Sequence, residues 1–512
     1  MAGAEQQADT VVLGVVGAGL MGRGIAQVAA QAGIAVRLHD ARPGGAQEGV
    51  AFVRDALERR VQQGGLSRAQ ADAALGCLQP VDTLAQLASC TMVIEAIVES
   101  LAAKQQLLQA LEDTVSDSCL LATNTSSLLV TEVAAACRRP QRVGGLHFFS
   151  PVPRMKVTEV ILGARSEPRV GTALEAFSRR IGHEPVRAQD TPGFIVNHAG
   201  RAYGPESVRI ASENIADFQT IDRILREACG FRMGPFELFD LTGLDVSHPA
   251  GESIYHQFYE EPRFKPSLLL RTRLAAGLLG RKSGGGFYGP GREAVALPVA
   301  SAAPALQAAA AGPVWLSAPD ASRHAAVQEA LRASGAVLET AERPSPAALC
   351  LVLPIGQDAT MAALANGLDP ARTVAVDPLF FSGRCRTLMT SPATQAVFTQ
   401  RARAVFGQDG TPVCVLRDSP GFVAQRVVAA IVNIGCDMAQ QGIASPHDID
   451  RAVTLALGYP RGPFAMGDAL GAATVLQILE GLHARYQEPR YRASPWLSRR
   501  AALGLSLFTV EG

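Results

Sequence analysis

The sequence predicts an α/β domain, then an all-α domain, then a second and weaker α/β segment with an all-α copy of its own. Three observations carry that order. From residue 10 to about 190, short β-branched runs alternate with longer Ala-, Leu-, Gln- and Arg-rich stretches, the pattern of a largely parallel sheet covered by helices. From 193 to about 280 the pattern turns helical, with no clear strand. Finally, the chain matches itself. Thr191-Pro192-Gly193-Phe194-Ile195-Val196-Asn197 recurs as Ser419-Pro420-Gly421-Phe422-Val423-Ala424-Gln425. The same spacing of 228 residues carries Ile221-Asp222-Arg223 onto Ile449-Asp450-Arg451 and Gly234-Pro235-Phe236 onto Gly462-Pro463-Phe464. A period this long means duplicated domains, because solenoid repeats run to a few tens of residues.

In chain order, Val11–Gly17, Ala35–Asp40, Thr91–Ile97, Cys119–Thr123, Arg142–Phe149, Val157–Leu162 and Glu184–Ala188 read as strands, with helices between most of them. The expected limits are 10–192 for the first α/β domain and 193–290 for the first helical domain. An Ala/Pro-rich linker without apolar period follows at 291–312, then the degenerate α/β segment at 313–415 and the second helical domain at 416–512. A chain of 512 residues needs several cores, since one core rarely organises more than about 250–300 residues.

Charge is balanced at 47 basic and 47 acidic side chains, which argues against a nucleic-acid or membrane-surface binder. The nine cysteines contain no CxxC pair and are odd in number, so a reduced, cytoplasmic protein without a metal site is expected. The opening MAGAEQQADT has neither a cationic start nor an apolar core, so no secretory signal is expected. No apolar run approaches the ~20 residues of a membrane span.

The apolar run Val11–Val16 leads directly into Gly17-Ala18-Gly19-Leu20-Met21-Gly22, with a helical stretch behind it. In that context Gly17 permits the tight turn, Gly19 lets a pyrophosphate approach the helix N-terminus, and Gly22 lets helix and strand pack closely. Leu20 and Met21 complete the loop. The next strand ends in Asp40, where a carboxylate can bind adenosine ribose hydroxyls and would repel a 2′-phosphate. A Rossmann-like fold binding NAD is therefore expected. Arg37 and Arg42 flank Asp40 and keep NADP open as an alternative.

His147 ends another apolar strand, where ligands of open α/β sheets gather. Ser126 follows a strand in Asn124-Thr125-Ser126-Ser127-Leu128, Glu159 lies in the strand after His147, and Asn197 opens the first helical region. Ser126 and Asn197 are also placed to cap helices, and Glu159 to face solvent. The repeat acts as an internal control. Asp377 falls near the His147 position, Thr387 at that of Glu159 and Gln425 at that of Asn197, and no GxGxxG opens the second α/β segment. The persistent Pro-Gly-Phe and Gly-Pro-Phe motifs then read as turn and packing devices. The polar residues confined to copy one become the candidates for chemistry.

GAGLMG, EAIVES, NTSSL, GLHFFSPVP, TPGFIVN and GPFEL, in this order and spacing, resemble the L-3-hydroxyacyl-CoA dehydrogenase family, strongly over residues 10–290 and more weakly over the second copy. The full length resembles two-copy bacterial members that oxidise 3-hydroxyadipyl-CoA in phenylacetate degradation. The resemblance implies helical domains of the 6-phosphogluconate-dehydrogenase-like type. It also implies NAD-dependent oxidation of an L-3-hydroxyacyl-CoA, with 3-hydroxyadipyl-CoA and 3-hydroxybutyryl-CoA both open. It makes His147 the base and Glu159 its carboxylate partner, with Ser126 and Asn197 positioning the substrate. Asp40, Glu99, Lys104, Ser126, Ser150 and Lys282 fall at cofactor-contact positions. The chain departs from the family at Ser150, where Asn is common, and at His198, where Arg is common. Two other functions stay open: oxidation of free 3-hydroxy acids, and a catalytically silent NAD-binding scaffold. The assembly is either a homodimer or an intrachain pseudo-dimer formed by the second helical copy.

Overall fold

The computed structural model describes residues 11–289, 312–317 and 324–511. The linker expected at 291–312 lies outside them except for Gly312, and the opening segment lies outside them too. The chain forms two compact units. One holds the described residues up to His198 together with Gln441–Leu457, and the other holds Ala199–Gln440 and the residues from Gly458 onward.

The first unit is built on an eight-stranded sheet of order β3-β2-β1-β4-β5-β6-β7-β8. Its strands are β1 (Val12–Val16), β2 (Ala35–His39), β3 (Leu78–Val81), β4 (Met92–Glu95), β5 (Leu120–Thr123), β6 (Val143–Phe148), β7 (Val157–Leu162) and β8 (Glu184–Gln189). Pairing is parallel except between β6 and β7. All residues of β4, β5 and β6 are buried, which is why these strands read as apolar runs and not as alternating ones. Seven strands lie where the sequence pattern puts them. The eighth, β3, escapes it because Pro80 interrupts the pattern, and β3 tolerates proline because it is an edge strand.

The opposite edge, β8, is covered by a segment of the second helical copy. Gln189 N donates to Ile443 O at 2.8 Å, and Arg451 pairs with Glu184 at 2.6 Å. The helix Pro446–Leu457 packs on β7 and β8, so the sheet's free edge is not left open.

The second unit contains a six-stranded sheet of order β10-β9-β11-β12-β13-β14. Its strands are β9 (Pro313–Leu316), β10 (Val337–Glu339), β11 (Leu349–Val352), β12 (Thr373–Val376), β13 (Arg386–Thr390) and β14 (Val413–Arg417). Two pairs of equivalent contacts set the correspondence between the sheets. Asp190 accepts from Val130 N and Thr131 N at the helix after β5, and Asp418 does the same for Ala359 N and Thr360 N after β11. Arg142 donates to the carbonyls of Ser116 and Cys119 before β5, and Arg372 to those of Ser345 and Ala348 before β11. Thus β11 corresponds to β5, and among the described residues the second sheet has no counterpart of β4 or of the helix Leu101–Thr114 that follows it.

Helices complete the second unit, beginning with the helix Val196–Ser212, whose first turn belongs to the first unit. The corresponding helix of the second copy, Val423–Gln440, carries the fully buried Arg426. Its guanidinium reaches Glu206 at 2.7 Å and Glu213 at 2.9 Å on the copy-one side, and the Tyr486 and Tyr491 hydroxyls close the cluster. No helix among the described residues is long and apolar enough to cross a membrane.

Candidate active site

The glycine loop joins β1 to the helix Leu20–Gln31. Gly17 sits at φ +101°, and a Cβ there would lie 2.5 Å from Ala96 O. A Cβ on Gly22 would fall 1.7 Å from Gly17 O, so this helix can approach the loop only without a side chain. Gly19 is different: a Cβ there would meet nothing within 4 Å, and no side chain caps the helix start. The open face beside uncapped N–H groups is the kind of surface a pyrophosphate needs. Leu20 is exposed and Met21 half-buried on the first turn.

Asp40 follows β2 and accepts from Ala18 N at 2.7 Å and Arg42 N at 2.9 Å, which ties the acidic side chain to the glycine loop. Two carboxylate oxygens offer about four acceptor sites, so capacity for ribose hydroxyls is left. Arg42, the nearest cation, is held by both oxygens of Glu48 at 2.6 and 2.9 Å, and Arg37 donates to Gln86 O. The Arg42 fork is taken up by Glu48, and the Asp40 carboxylate itself would repel a 2′-phosphate. These residues fit NAD.

The loop after β4 brings a buried charge cluster that the sequence only half discloses. Lys104 Nζ lies 2.9 Å from both oxygens of Glu95 and 3.3 Å from Glu99. Glu99 in turn organises the serine loop after β5. It accepts from the Thr125 hydroxyl at 2.7 Å, from Ser126 N at 2.9 Å, and from Ser127 N and Oγ at 3.0 and 2.9 Å. Burial alone would raise the Glu99 carboxyl. The Lys104 charge and these hydrogen bonds outweigh it and hold the group below its ordinary range. Ser126 is not needed as a helix cap, because Asp190 already satisfies Val130 N and Thr131 N. Its carbonyl accepts from Asn197 Nδ2 at 3.2 Å, which joins the serine loop to the start of the helix Val196–Ser212.

The antiparallel turn of β7 sets His147 opposite Glu159. Because β7 runs backwards, its beginning lies beside the carboxyl end of β6, where the imidazole sits. Nδ1 of His147 is 2.6 Å from Glu159 Oε2, and both residues are buried. The other oxygen of Glu159 accepts from Ile195 N at 2.9 Å and Val196 N at 2.8 Å. The carboxylate is thus fixed on both sides. It assigns the proton to Nδ1 and leaves Nε2 as the ring nitrogen for proton exchange. The Phe149 and Phe194 rings flank the imidazole at 4.5 and 5.9 Å. Phe148 N donates to Asn124 Oδ1 at 2.9 Å, which ties β6 to the serine loop.

The structure therefore brings together Ser126, His147, Glu159, Asn197 and, through Glu99, Lys104. Ser150 is exposed in the loop just after β6. Lys282 belongs to the second unit, where its ammonium is held by Asp245 at 2.5 Å. Sequence reasoning missed Glu95, Asn124 and Asp190. Asp190 did carry a signal: it precedes Thr191-Pro192 and recurs as Asp418 before Ser419-Pro420, the mark of a folding residue. Among the described residues no cluster of His, Cys, Asp and Glu could hold a metal ion.

A carboxylate-bound imidazole at the carboxyl end of the same sheet as a dinucleotide-type glycine loop is an arrangement that can serve an NAD-dependent alcohol oxidoreductase. The model of the 3-hydroxyacyl-CoA dehydrogenase NAD binding domain matches residues 12–191, and that of the C-terminal domain matches 193–289 and again 421–506. The chain is 36% identical to the 3-hydroxyadipyl-CoA dehydrogenase of Escherichia coli, over 96% of this chain and 97% of that protein. It is 37% identical to the mitochondrial hydroxyacyl-coenzyme A dehydrogenase of Mus musculus, over 54% of this chain and 89% of that one. The crystal structure of a 3-hydroxybutyryl-CoA dehydrogenase from Escherichia coli superposes with a TM-score of 0.84 at 34% identity, covering 97% of this chain and 99% of that one. The chain belongs to the 3-hydroxyacyl-CoA dehydrogenase family, and it is an NAD-dependent oxidoreductase of 3-hydroxyacyl-CoA thioesters.

Proposed function

We infer that His147 is the general base of this reaction and that 3-hydroxyadipyl-CoA is the substrate it serves. The His147–Glu159 contact at 2.6 Å, with Glu159 pinned by two backbone N–H groups, carries the assignment of the base. Oxidation of the 3-hydroxyl requires its proton to leave as the C3–H electron pair departs. Nε2 takes that proton. Glu159 stabilises the resulting imidazolium without itself being protonated, as in other His–carboxylate pairs. Ser126 and Asn197, joined by their own hydrogen bond, supply hydroxyl and amide donors for the 3-oxygen as its charge changes. Gly17, Gly19, Leu20, Met21, Gly22 and Asp40 would hold NAD⁺, with Glu99, Lys104 and Ser150 at further contact positions, and the cofactor would supply the hydride acceptor. The adipyl assignment rests on the full-length likeness to the Escherichia coli enzyme of that name. Its test is a panel of 3-hydroxyacyl-CoAs and free 3-hydroxy acids with NAD⁺. The highest kcat/KM is expected for the dicarboxylic thioester, and a preference for 3-hydroxybutyryl-CoA would overturn it.

The second helical copy replaces a dimer partner. Gln189 N donates to Ile443 O at 2.8 Å, and Arg417 N donates to Ile215 O at 3.1 Å. Both residues of the second bond stand 228 positions from their counterparts in the first. Such reciprocal contacts are those of a two-fold interface, here formed within one chain. Light scattering should therefore give a monomer, and a dimer would contradict this assignment. All nine cysteines are free, which supports a reducing, cytoplasmic setting.

A further inference from the structure

The charge cluster behind the serine loop holds two carboxylates for one ammonium. Glu95 ends β4 and is completely buried. Both of its oxygens lie 2.9 Å from Lys104 Nζ, on the helix Leu101–Thr114. The Thr123 hydroxyl at the end of β5 donates to Glu95 Oε1, and Ile97 N donates to Oε2 at 3.2 Å. Lys104 reaches Glu99 at the longer distance of 3.3 Å. The three charges thus form a line that is dry at Glu95 and open at Glu99, whose side chain is 35% exposed. The nearer carboxylate takes most of the ammonium, so the Glu99 charge is left largely uncompensated on the open side.

Two observations give this line a purpose beyond folding. Taking an ion pair out of water costs about as much as the attraction returns, so a buried pair is poor evidence of a stability device. The second copy keeps the surrounding framework, with Asp418 for Asp190 and Arg372 for Arg142, while among its described residues β4 and the Lys104 helix have no counterpart. The line accompanies the glycine loop, not the fold.

Its place in the sheet says what it faces. β4 lies between β1, which carries the glycine loop, and β5, which carries the Ser126 loop, with β6 and His147 beyond. A dinucleotide with its pyrophosphate on the β1 loop and its adenosine ribose at Asp40 after β2 lays its other half across β4 and β5, toward β6. That half ends in the nicotinamide ring, which is cationic in NAD⁺ and neutral in NADH. We propose that Glu95 is a positioning residue for the cofactor: by drawing Lys104 away from Glu99, it keeps a net negative charge at the nicotinamide end of the site and so favours NAD⁺ over NADH. This rests on His147 being the base, which requires the reactive ring at that end.

Isothermal titration of the full-length enzyme with NAD⁺ and with NADH, in the absence of substrate, tests it. Glu95→Gln frees Lys104 to turn to Glu99, and the affinity for NAD⁺ should fall at least about fivefold relative to that for NADH, the effect of one unit charge in a half-buried site. Glu95→Asp, which keeps the charge, should retain the wild-type ratio. A purely structural role would weaken both forms alike, so an unchanged ratio in Glu95→Gln, or an equal shift in Glu95→Asp, would overturn the proposal. A second measurement needs no variant. Benzamide adenine dinucleotide carries a neutral ring of the same shape as the nicotinamide of NAD⁺, and the wild-type enzyme should bind it at least about fivefold more weakly than NAD⁺. Equal affinities would equally overturn the proposal. Failure of the base assignment would appear instead as retained turnover in His147→Gln, so the two failures are distinguishable.

Discussion

At one register position the two copies hold different chemistry on the same scaffold. In copy one, His147 faces Glu159 across β6 and β7. In copy two, Val376 pairs with Leu388 across β12 and β13, so Asp377 comes to face Thr387, and Asp377 N donates to Thr387 O at 3.1 Å. Around these points the framework is unchanged. Phe194 and Phe422 both adopt left-handed backbone, at φ 47° and 49°, after a left-handed glycine. Asp240 accepts from Phe287 N and Tyr288 N, and Asp468 accepts from Ser506 Oγ and Leu507 N. A strained Phe that persists where no base exists belongs to folding. The comparison thus separates groups kept in both copies for the turn, the cap and the packing from the copy-one groups proposed to carry a proton transfer.

The largest expected effect tests that separation directly. His147→Gln should lower kcat by about 10²–10⁴-fold while NADH binding, read by fluorescence, stays intact. Asp377→Asn should leave kcat unchanged. Equal losses from both would erase the distinction between the copies.

Glu159→Gln should come next. With the proton no longer assigned to Nδ1 by a charged acceptor, kcat is expected to fall by about 10²-fold with little change in KM, and the pH–rate profile should shift. Thr387→Val, at the equivalent position, should move neither. An unchanged pH profile in Glu159→Gln would reduce Glu159 to a packing role.

Gly22→Ala asks whether the glycine loop is as specific as its geometry says. The added Cβ would lie 1.7 Å from Gly17 O, so the helix must shift. NADH affinity should drop at least tenfold, and stability by roughly 1–3 kcal/mol. Calorimetry and thermal unfolding read the two effects.

The smallest effect concerns the residue that stands in copy two at the position of the proposed base. Asp377 is buried, and its Oδ2 has no hydrogen-bond partner among the described residues. Burial pushes its carboxyl up from 3.8 to about 6, against the pull of hydrogen bonds from Gln425 and the backbone of Leu379 and Phe380. The folded state therefore holds this proton more firmly than the unfolded chain does. Stability must fall as pH rises from about 4 to about 6 and stay lower above that. Asp377→Asn should recover roughly 1–3 kcal/mol at pH 7.5, with the gain vanishing below about pH 4. A gain that is the same at both pH values would show that the carboxylate is not the cause.

Local pattern alone determined a good deal: the order of sheets and helices, the glycine loop, Asp40, the placing of His147 at a strand end, and the duplication that exposed Asp377, Thr387 and Gln425 as its losses. Each of these is written in residues adjacent in the chain or at a fixed spacing. Tertiary structure decided the rest. Glu95 is one more acid in an apolar strand until β4 stands beside β5 and Lys104 folds back onto it. Glu99 organises the serine loop across 26 to 28 residues of sequence, and Asp190 caps a helix 60 residues before it. The edge strand at Pro80, the lack of a counterpart of β4 among the described residues, and the return of Gln441–Leu457 to cover β8 were also invisible beforehand. Side-chain periodicity and turn chemistry are properties of a few neighbouring residues. The partner of a buried charge is chosen only when sheet register brings distant segments side by side.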